Sequence, residues 1–168
     1  MKKFELTTES ITNVAGKKLF RIKALIDFED VKAGELGGYV EKEGNVSQDG
    51  NAWVSGNARI FGNAKVFGNA EVSGDAWVSG NAKVSGNAKV SDDADYTLIQ
   101  GFGTEFRCTT FYRGKNKKIM VNCGCFHGDL EEFRKQVKET RNGKIAKEYL
   151  MIADLMENHF ASEDSDNE

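Results

Sequence analysis

The sequence predicts a mainly β protein made of stacked six-residue repeats, with an N-terminal hairpin before the stack and a small α+β module after it. Three observations predict this class: a six-residue repeat in the middle of the chain, alternating apolar residues before it, and two amphipathic helical segments after it. Glycine opens eight successive hexads, at positions 44, 50, 56, 62, 68, 74, 80 and 86. A repeat this regular predicts the architecture of the middle of the chain more strongly than any single motif.

Each hexad predicts a short strand followed by a turn. Alanine stands two residues after the glycine and an aliphatic residue two further on, as at Ala64 and Val66. Residues two apart on an extended chain share a face, so both point to a common interior while Lys65 between them points outward. The Gly-Asn pairs favour corners because both residue types tolerate positive φ. A single hexad cannot bury its inner face, so the hexads must stack on one another.

The nine hexads from Gly44 to Thr97 resemble the hexapeptide-repeat family. This resemblance implies a left-handed parallel β-helix of triangular section, three hexads to a coil, in subunits that pack side by side as a homotrimer. The handedness is implied by the family alone, because parallel crossovers are in general right-handed.

A second resemblance covers residues 1–95 and rests on the join between the hairpin and the repeats. Asp27-Phe28, 30–34 (DVKAG), Gly37-Gly38 and Ser47-Gln48 are similar to the N-terminal signature of a group of bacterial proteins assigned as acyltransferases. Short relatives with this signature are common in phages and prophages. The join is expected to form a first, irregular coil, with Leu36 eighteen residues before Val54.

The chain divides into four predicted segments: a hairpin cap over 1–31, the repeat β-helix over 32–97, an α+β module over 98–160 and a disordered acidic tail over 161–168. The module should hold three strands and two helices. The first helix begins at a capping box formed by Asp129 and Glu132. The predicted strands and helices outside the hexads span 4–6, 19–28, 96–100, 106–112, 118–123, 130–140 and 145–160.

Composition excludes several classes of function. The 23 basic and 26 acidic residues nearly balance, so no global charge drives the chain onto nucleic acid or membrane. The N-terminus lacks the apolar run of a signal peptide. Three cysteines, an odd number, fit a reducing compartment better than a disulfide framework. We therefore expect a cytoplasmic protein without a cofactor.

Acyl transfer is the first activity to weigh, because many hexapeptide-repeat proteins transfer an acyl group from a coenzyme A donor. That chemistry needs a histidine as general base. The only histidines are His127 and His159, and both lie outside the repeats. No loop is inserted in the hexads from Gly50 to Ser91 that could form the wall of an active-site pocket. We therefore expect no catalytic residue, and keep as an alternative an acyltransferase that uses His127 across a subunit boundary.

Four potential metal ligands lie in the C-terminal module: Cys108, Cys123, Cys125 and His127. If one strand ran through positions 123, 125 and 127, these side chains would share a face, and a neighbouring strand could add Cys108 to complete a tetrahedral zinc site. Alternate cysteines on an apolar strand are also common as buried small residues, and this spacing matches no standard zinc finger. We expect no metal, with this set as the one candidate.

Aromatic residues at outward or turn positions of the hexads predict an interface formed by Trp53, Phe61, Phe67 and Trp77. Aromatic side chains on a small, charged surface are favoured anchors of protein contacts. They could serve subunit contact in a trimer or dock the chain's own C-terminal module. The sequence pattern leaves both open.

A basic turn between two predicted strands holds Arg113, Lys115, Lys117 and Lys118. Such a turn could contact phosphate, although no glycine-rich phosphate loop or stacking aromatic accompanies it. A solvated turn is the alternative. An oligomeric sponge for a nucleotide signal would line its subunit junctions with Arg113 and Lys115.

These observations favour a non-catalytic binding protein of phage or prophage origin that acts as an oligomer on a host macromolecule. Inhibition of a host defence enzyme, such as a CRISPR nuclease, would fit a protein of this kind. The expected partner is a host protein, and direct binding to nucleic acid or membrane is not expected. Fold alone does not name the partner.

Overall fold

The computed structural model describes residues 1–161 and contains fourteen strands and two α-helices. Three longer strands come first: β1 (Phe4–Thr12), β2 (Lys18–Ala24) and β3 (Leu36–Val40). Seven strands of two residues each follow in the hexads, namely β4 (Trp53–Val54), β5 (Arg59–Ile60), β6 (Lys65–Val66), β7 (Glu71–Val72), β8 (Trp77–Val78), β9 (Lys83–Val84) and β10 (Lys89–Val90). The C-terminal module consists of β11 (Tyr96–Phe102), β12 (Arg107–Arg113), β13 (Ile119–Cys123), β14 (Phe126–Asp129), α1 (Leu130–Thr140) and α2 (Gly143–Phe160).

Hexads eighteen residues apart pair in parallel, so that Trp53 lies beside Glu71 and Lys65 beside Lys83. The inward alanines and aliphatic residues from Ala52 to Val90 are all buried, which confirms the predicted interior face. Small and branched side chains alternate along every hexad, and this alternation fills the interior without polar atoms. We refer to residues 50–91 as the repeat region.

The predicted fold class, a mainly β left-handed parallel β-helix, is wrong. Within residues 1–161 the strands form four separate sheets, none of them closed and none a solenoid. The largest is mixed: β1, β2 and β3 are antiparallel, and β3 continues in parallel through β5 and β8. A hexad supplies only two residues of strand before its glycine corner, and the last third of the chain adds an antiparallel sheet and two helices.

The join follows a different register from the one predicted. Tyr39 pairs with Arg59 and Val46 with Val66, which are offsets of twenty residues rather than eighteen. Leu36, predicted to match Val54, is exposed and pairs instead with Lys23 of β2. The extra two residues shift the first hexad out of phase, so the run in register is shorter than nine hexads.

Side chains satisfy the backbone at both ends of the repeat region. At one end the Lys3 ammonium donates to the carbonyl oxygens of Gly50 and Ala52, at 3.2 and 2.8 Å. At the other end the backbone N–H of Lys83 donates to Oγ1 of Thr110 at 2.9 Å. Unpaired strand edges invite further pairing, so these contacts end the ladders within the chain itself.

The C-terminal module folds around its own core. Its sheet has the order β11-β12-β13-β14, and Phe111, Val121, Phe133 and Ile152 lie among its buried residues. Helix α1 begins as predicted, because Asp129 accepts a hydrogen bond from the Glu132 backbone and Glu132 reciprocates. Helix α2 begins two residues before the prediction. In residues 1–161 neither helix is long and apolar enough to cross a membrane.

The boundaries of the four segments stay predictions. β1 and β2 form the hairpin of the first segment, and Tyr96 begins the antiparallel sheet. The predicted acidic tail falls almost entirely outside the described residues.

Candidate functional site

A hydrogen-bonded cluster with a buried centre and an exposed edge at His127 joins the repeat region to the C-terminal sheet. Nδ2 of Asn122 donates to the carbonyl oxygen of Lys83 at 2.8 Å and to the Tyr112 hydroxyl at 3.1 Å. Nε2 of His127 lies 3.2 Å from the same hydroxyl, and Oγ of Ser85 lies 3.4 Å from it. Burial raises the pKa of Tyr112. The cluster uses its polar atoms to bind one part of the chain to the other.

The four predicted metal ligands do not come together. The chain turns at Gly124-Cys125 between β13 and β14, so positions 123, 125 and 127 do not lie on one continuous strand. Sγ of Cys123 accepts a hydrogen bond from Oγ1 of Thr109, and burial raises the pKa of Cys108. No group of three His, Cys, Asp or Glu side chains suited to a metal ion occurs among residues 1–161.

The basic turn binds carboxylates of the same chain. Arg113 pairs with Asp95 and Lys115 with Glu71, both at 2.9 Å. Lys118 pairs with Asp129 at 2.9 Å, and Glu71 raises the pKa of Lys115. Lys117 has a positive φ of 62° at the turn. These contacts fasten the turn to the rest of the chain and leave it poorly suited to phosphate.

The predicted aromatic interface separates into two parts. Trp53 is only 5% exposed because Phe4 and Phe28 of the N-terminal segment pack edge-on against its ring. It is therefore a core residue and not part of an outer surface. Phe61 and Trp77 contact each other at 6.4 Å between ring centres, and the guanidinium of Arg59 lies over Trp77 at 4.9 Å.

Phe67 keeps an exposed fraction of 36% and remains available for contact. Neither Trp53 nor the Phe61 and Trp77 pair docks the C-terminal module through an aromatic contact in the described chain. Trp53 therefore packs against the N-terminal segment, which neither of the two predicted alternatives included.

A surface that the sequence did not predict surrounds Phe106. This residue lies just before β12, is 63% exposed and has a φ of 50°. Phe106 borders an open groove, here called the Phe106 groove, between the module and the repeat region. The groove is lined by Asn81, Lys83, Gln100, Phe106, Arg107, Cys108, Gly124 and Cys125.

The sequence assigned Phe106 to a strand, and in a strand an aromatic residue has a packing role. The structure instead has an irregular end of β11, with a register shift between Ile99 and Phe102, and then a turn to β12. Gly101 at the end of β11 and Gly103 in the turn both have positive φ. Those two closely spaced glycines were the available signal for a wide turn. Such a turn exposes a large apolar side chain beside Lys83 and Arg107, which can bind an apolar and acidic surface.

No protein-family model matches this chain, and no curated protein matches it.

Proposed function

We propose that this protein is a non-catalytic binding protein, and that the Phe106 groove is the surface that contacts its partner. The observation that carries the proposal is the exposed Phe106 ring held in a left-handed backbone conformation. A bulky residue at positive φ costs on the order of 1 kcal/mol, and such strain is concentrated at functional positions. Exposed aromatic residues in a concave surface are frequent anchors of protein interfaces.

The charge around the groove indicates the partner's chemistry. Lys83 and Arg107 line it, and neither forms an ion pair within the described residues. A protein surface that offers an apolar pocket for Phe106 flanked by Asp or Glu would complement both features. We propose such an acidic host protein as the partner.

The remaining parts of the proposal rest on the sequence. The hexads and the N-terminal signature favour a phage or prophage protein that acts in the host cytoplasm, for example against a defence enzyme. The aromatic side chains left outside the core, Phe61, Phe67 and Trp77, support a homotrimer. Light scattering should then give three times the chain mass of 18.6 kDa, and a monomer mass at micromolar concentration would contradict the trimer.

The test of the groove uses the substitution Phe106→Gly. Glycine accepts positive φ, so this variant should be as stable as the wild-type protein or more so, while it loses the anchor. The matched control is Leu155→Ala, because Leu155 is 59% exposed on α2 and does not line the groove.

Affinity capture from a bacterial lysate, followed by titration of the purified partner, should give the same affinity for the wild-type protein and Leu155→Ala. Binding to Phe106→Gly should fall at least tenfold, as expected for a central aromatic anchor. Equal binding by Phe106→Gly, or no stoichiometric partner at all, would overturn the proposal.

A further inference from the structure

A second concave feature of the C-terminal module is a partly open cavity of about 60 Å³. It lies between the β11–β12 turn, the β13–β14 turn and the end of α1. Arg107, Arg141 and Tyr149 line it, together with Cys125 and Glu105. A space of this size holds a few water-sized groups.

Two guanidinium groups reach this cavity from different elements. Arg107 is the first residue of β12, and Arg141 follows the last residue of α1. Arg21, Arg113 and Arg134 each pair with a carboxylate, whereas Arg107 and Arg141 form no ion pair among residues 1–161. Two arginines that share a cavity without carboxylate partners leave their donors available to a ligand.

The backbone beside Arg107 makes room for its side chain. Gly124 has a φ of 62°, and a Cβ atom there would lie 2.5 Å from Nη1 of Arg107. The guanidinium group therefore lies against the bare backbone of the β13–β14 turn. Gly103 gives Tyr149 similar room, because a Cβ atom there would lie 2.7 Å from the tyrosine hydroxyl.

Both arginines lie close enough to Tyr149 to affect the pKa of its hydroxyl group. Burial raises the pKa of Tyr149, and the positive charges of Arg141 and Arg107 oppose that rise. The Tyr149 hydroxyl donates to the carbonyl oxygen of Phe102 at 3.2 Å, which keeps it in place.

The negative charge around the cavity is smaller than the positive charge of the two arginines. Glu105 contributes one negative charge to the lining, and the end of α1 contributes a partial charge equivalent to about half an elementary charge. Two guanidinium groups exceed that sum, so the cavity has a positive balance.

We propose that this cavity binds a compact oxyanion, a phosphate or carboxylate group, between Arg107 and Arg141. The planar guanidinium group presents paired N–H donors that match the oxygen spacing of both anions. The anion could be free in solution or carried by a phosphorylated side chain of a peptide. The cavity holds the anionic group in either case.

The test follows the Nε–H resonances of the arginines by NMR during titration at constant ionic strength. The probes are inorganic phosphate, acetate and phosphoserine. Saturable shifts of Arg107 and Arg141 with phosphate or acetate are expected. Tighter binding of phosphoserine than of phosphate would identify the peptide-borne group as the source, and equal or weaker binding would identify the free anion.

Arg107→Gln and Arg141→Gln should each weaken binding at least tenfold. Lys89→Gln, which removes the same charge from an exposed position in the repeat region, should leave it unchanged. Shifts that stay linear up to the highest anion concentration, or an equal effect of all three substitutions, would overturn the proposal.

A second measurement uses the Cys125 thiol, which lines the same cavity. Iodoacetate and iodoacetamide both alkylate a thiolate, with formation of a carbon–sulfur bond and release of iodide, but only iodoacetate is an anion. The ratio of iodoacetate to iodoacetamide rates at Cys125 should exceed that of the unfolded chain and should fall in Arg141→Gln. A ratio unchanged by folding would contradict the proposed site.

Discussion

The ammonium nitrogen of Lys3 lies 2.8 Å from the carbonyl oxygen of Ala52, at the outer edge of the repeat region. The side chain is 2% exposed and also lies 5.1 Å from the ring centre of Phe28. At this buried position the positive charge of Lys3 is poorly solvated. Its titration is therefore coupled to folding.

Stability should rise with pH in the range where Lys3 loses its proton. Burial lowers the pKa of Lys3 from 10.5 to about 8, and Asp49 acts in the opposite direction. Between these values the folded chain binds fewer protons than the unfolded chain, so the free energy of unfolding increases with pH. Across this pH range the free energy of unfolding of the wild-type protein should rise by about 3 kcal/mol more than that of Lys3→Met.

Urea denaturation of the wild-type protein and Lys3→Met at about pH 7 and about pH 10 measures this difference. Lys2→Met, which removes an exposed ion pair with Glu43, is the control and should follow the wild-type pH dependence. The same pH dependence in Lys3→Met and the wild-type protein would show that Lys3 titrates normally.

The glycine corners should differ sharply in their tolerance of alanine. Gly74 and Gly80 have φ values of 62° and 66°, but a Cβ atom at Gly74 would collide with the carbonyl oxygen of Ser91. At Gly80 the nearest atom is Cδ2 of Leu98, at 3.8 Å. Gly80→Ala should cost about 1 kcal/mol and Gly74→Ala about 2–4 kcal/mol. Equal melting temperatures for the two variants would contradict the close approach at Gly74.

Removal of the Asn122 amide should weaken the attachment of the module to the repeat region. Asn122→Ala leaves the Lys83 carbonyl and the Tyr112 hydroxyl without this donor in a buried site. The expected cost is about 1–3 kcal/mol. Asn158→Ala, on the exposed face of α2, should change the stability little. Hydrogen exchange should also become faster in β9 for Asn122→Ala, and unchanged exchange there would count against the predicted role.

Arg134 should be the surface charge on which the packing of α1 against α2 depends most. Its side chain is 14% exposed and pairs with Glu131, Asp154 and Glu157. Since Asp154 and Glu157 belong to α2, Arg134→Met should lower the stability by about 1–2 kcal/mol, less at high salt. Lys144→Met removes an exposed pair with Glu148 and should cost less than about 0.5 kcal/mol. If Arg134→Met lost no more stability than Lys144→Met, this prediction would be contradicted.

Short-range patterns in the sequence led to correct local predictions. The burial of Ala64 and Val66 follows from their spacing, and the start of α1 follows from the side chains of Asp129 and Glu132. Both depend on residues close together in the chain, where sequence spacing determines geometry.

Features that depend on distant segments could not be predicted in the same way. Trp53 stands at an outward position of its hexad, and only the arrival of Phe4 and Phe28 buries it. The basic turn is neutralised by Glu71 and Asp95, which are far from it in sequence. The fold class was wrong because the hexad period says nothing about sheet closure or about the register of the join.

The side chains that end the hydrogen-bond ladders of the repeat region come from outside it. Lys3 lies directly before β1, and Thr110 belongs to β12. A fragment limited to residues 50–91 would lack both side chains, and the carbonyl groups of Gly50 and Ala52 and the N–H group of Lys83 would lose these partners. Such a fragment should associate with its own copies, so the flanking segments keep the repeat region from self-association.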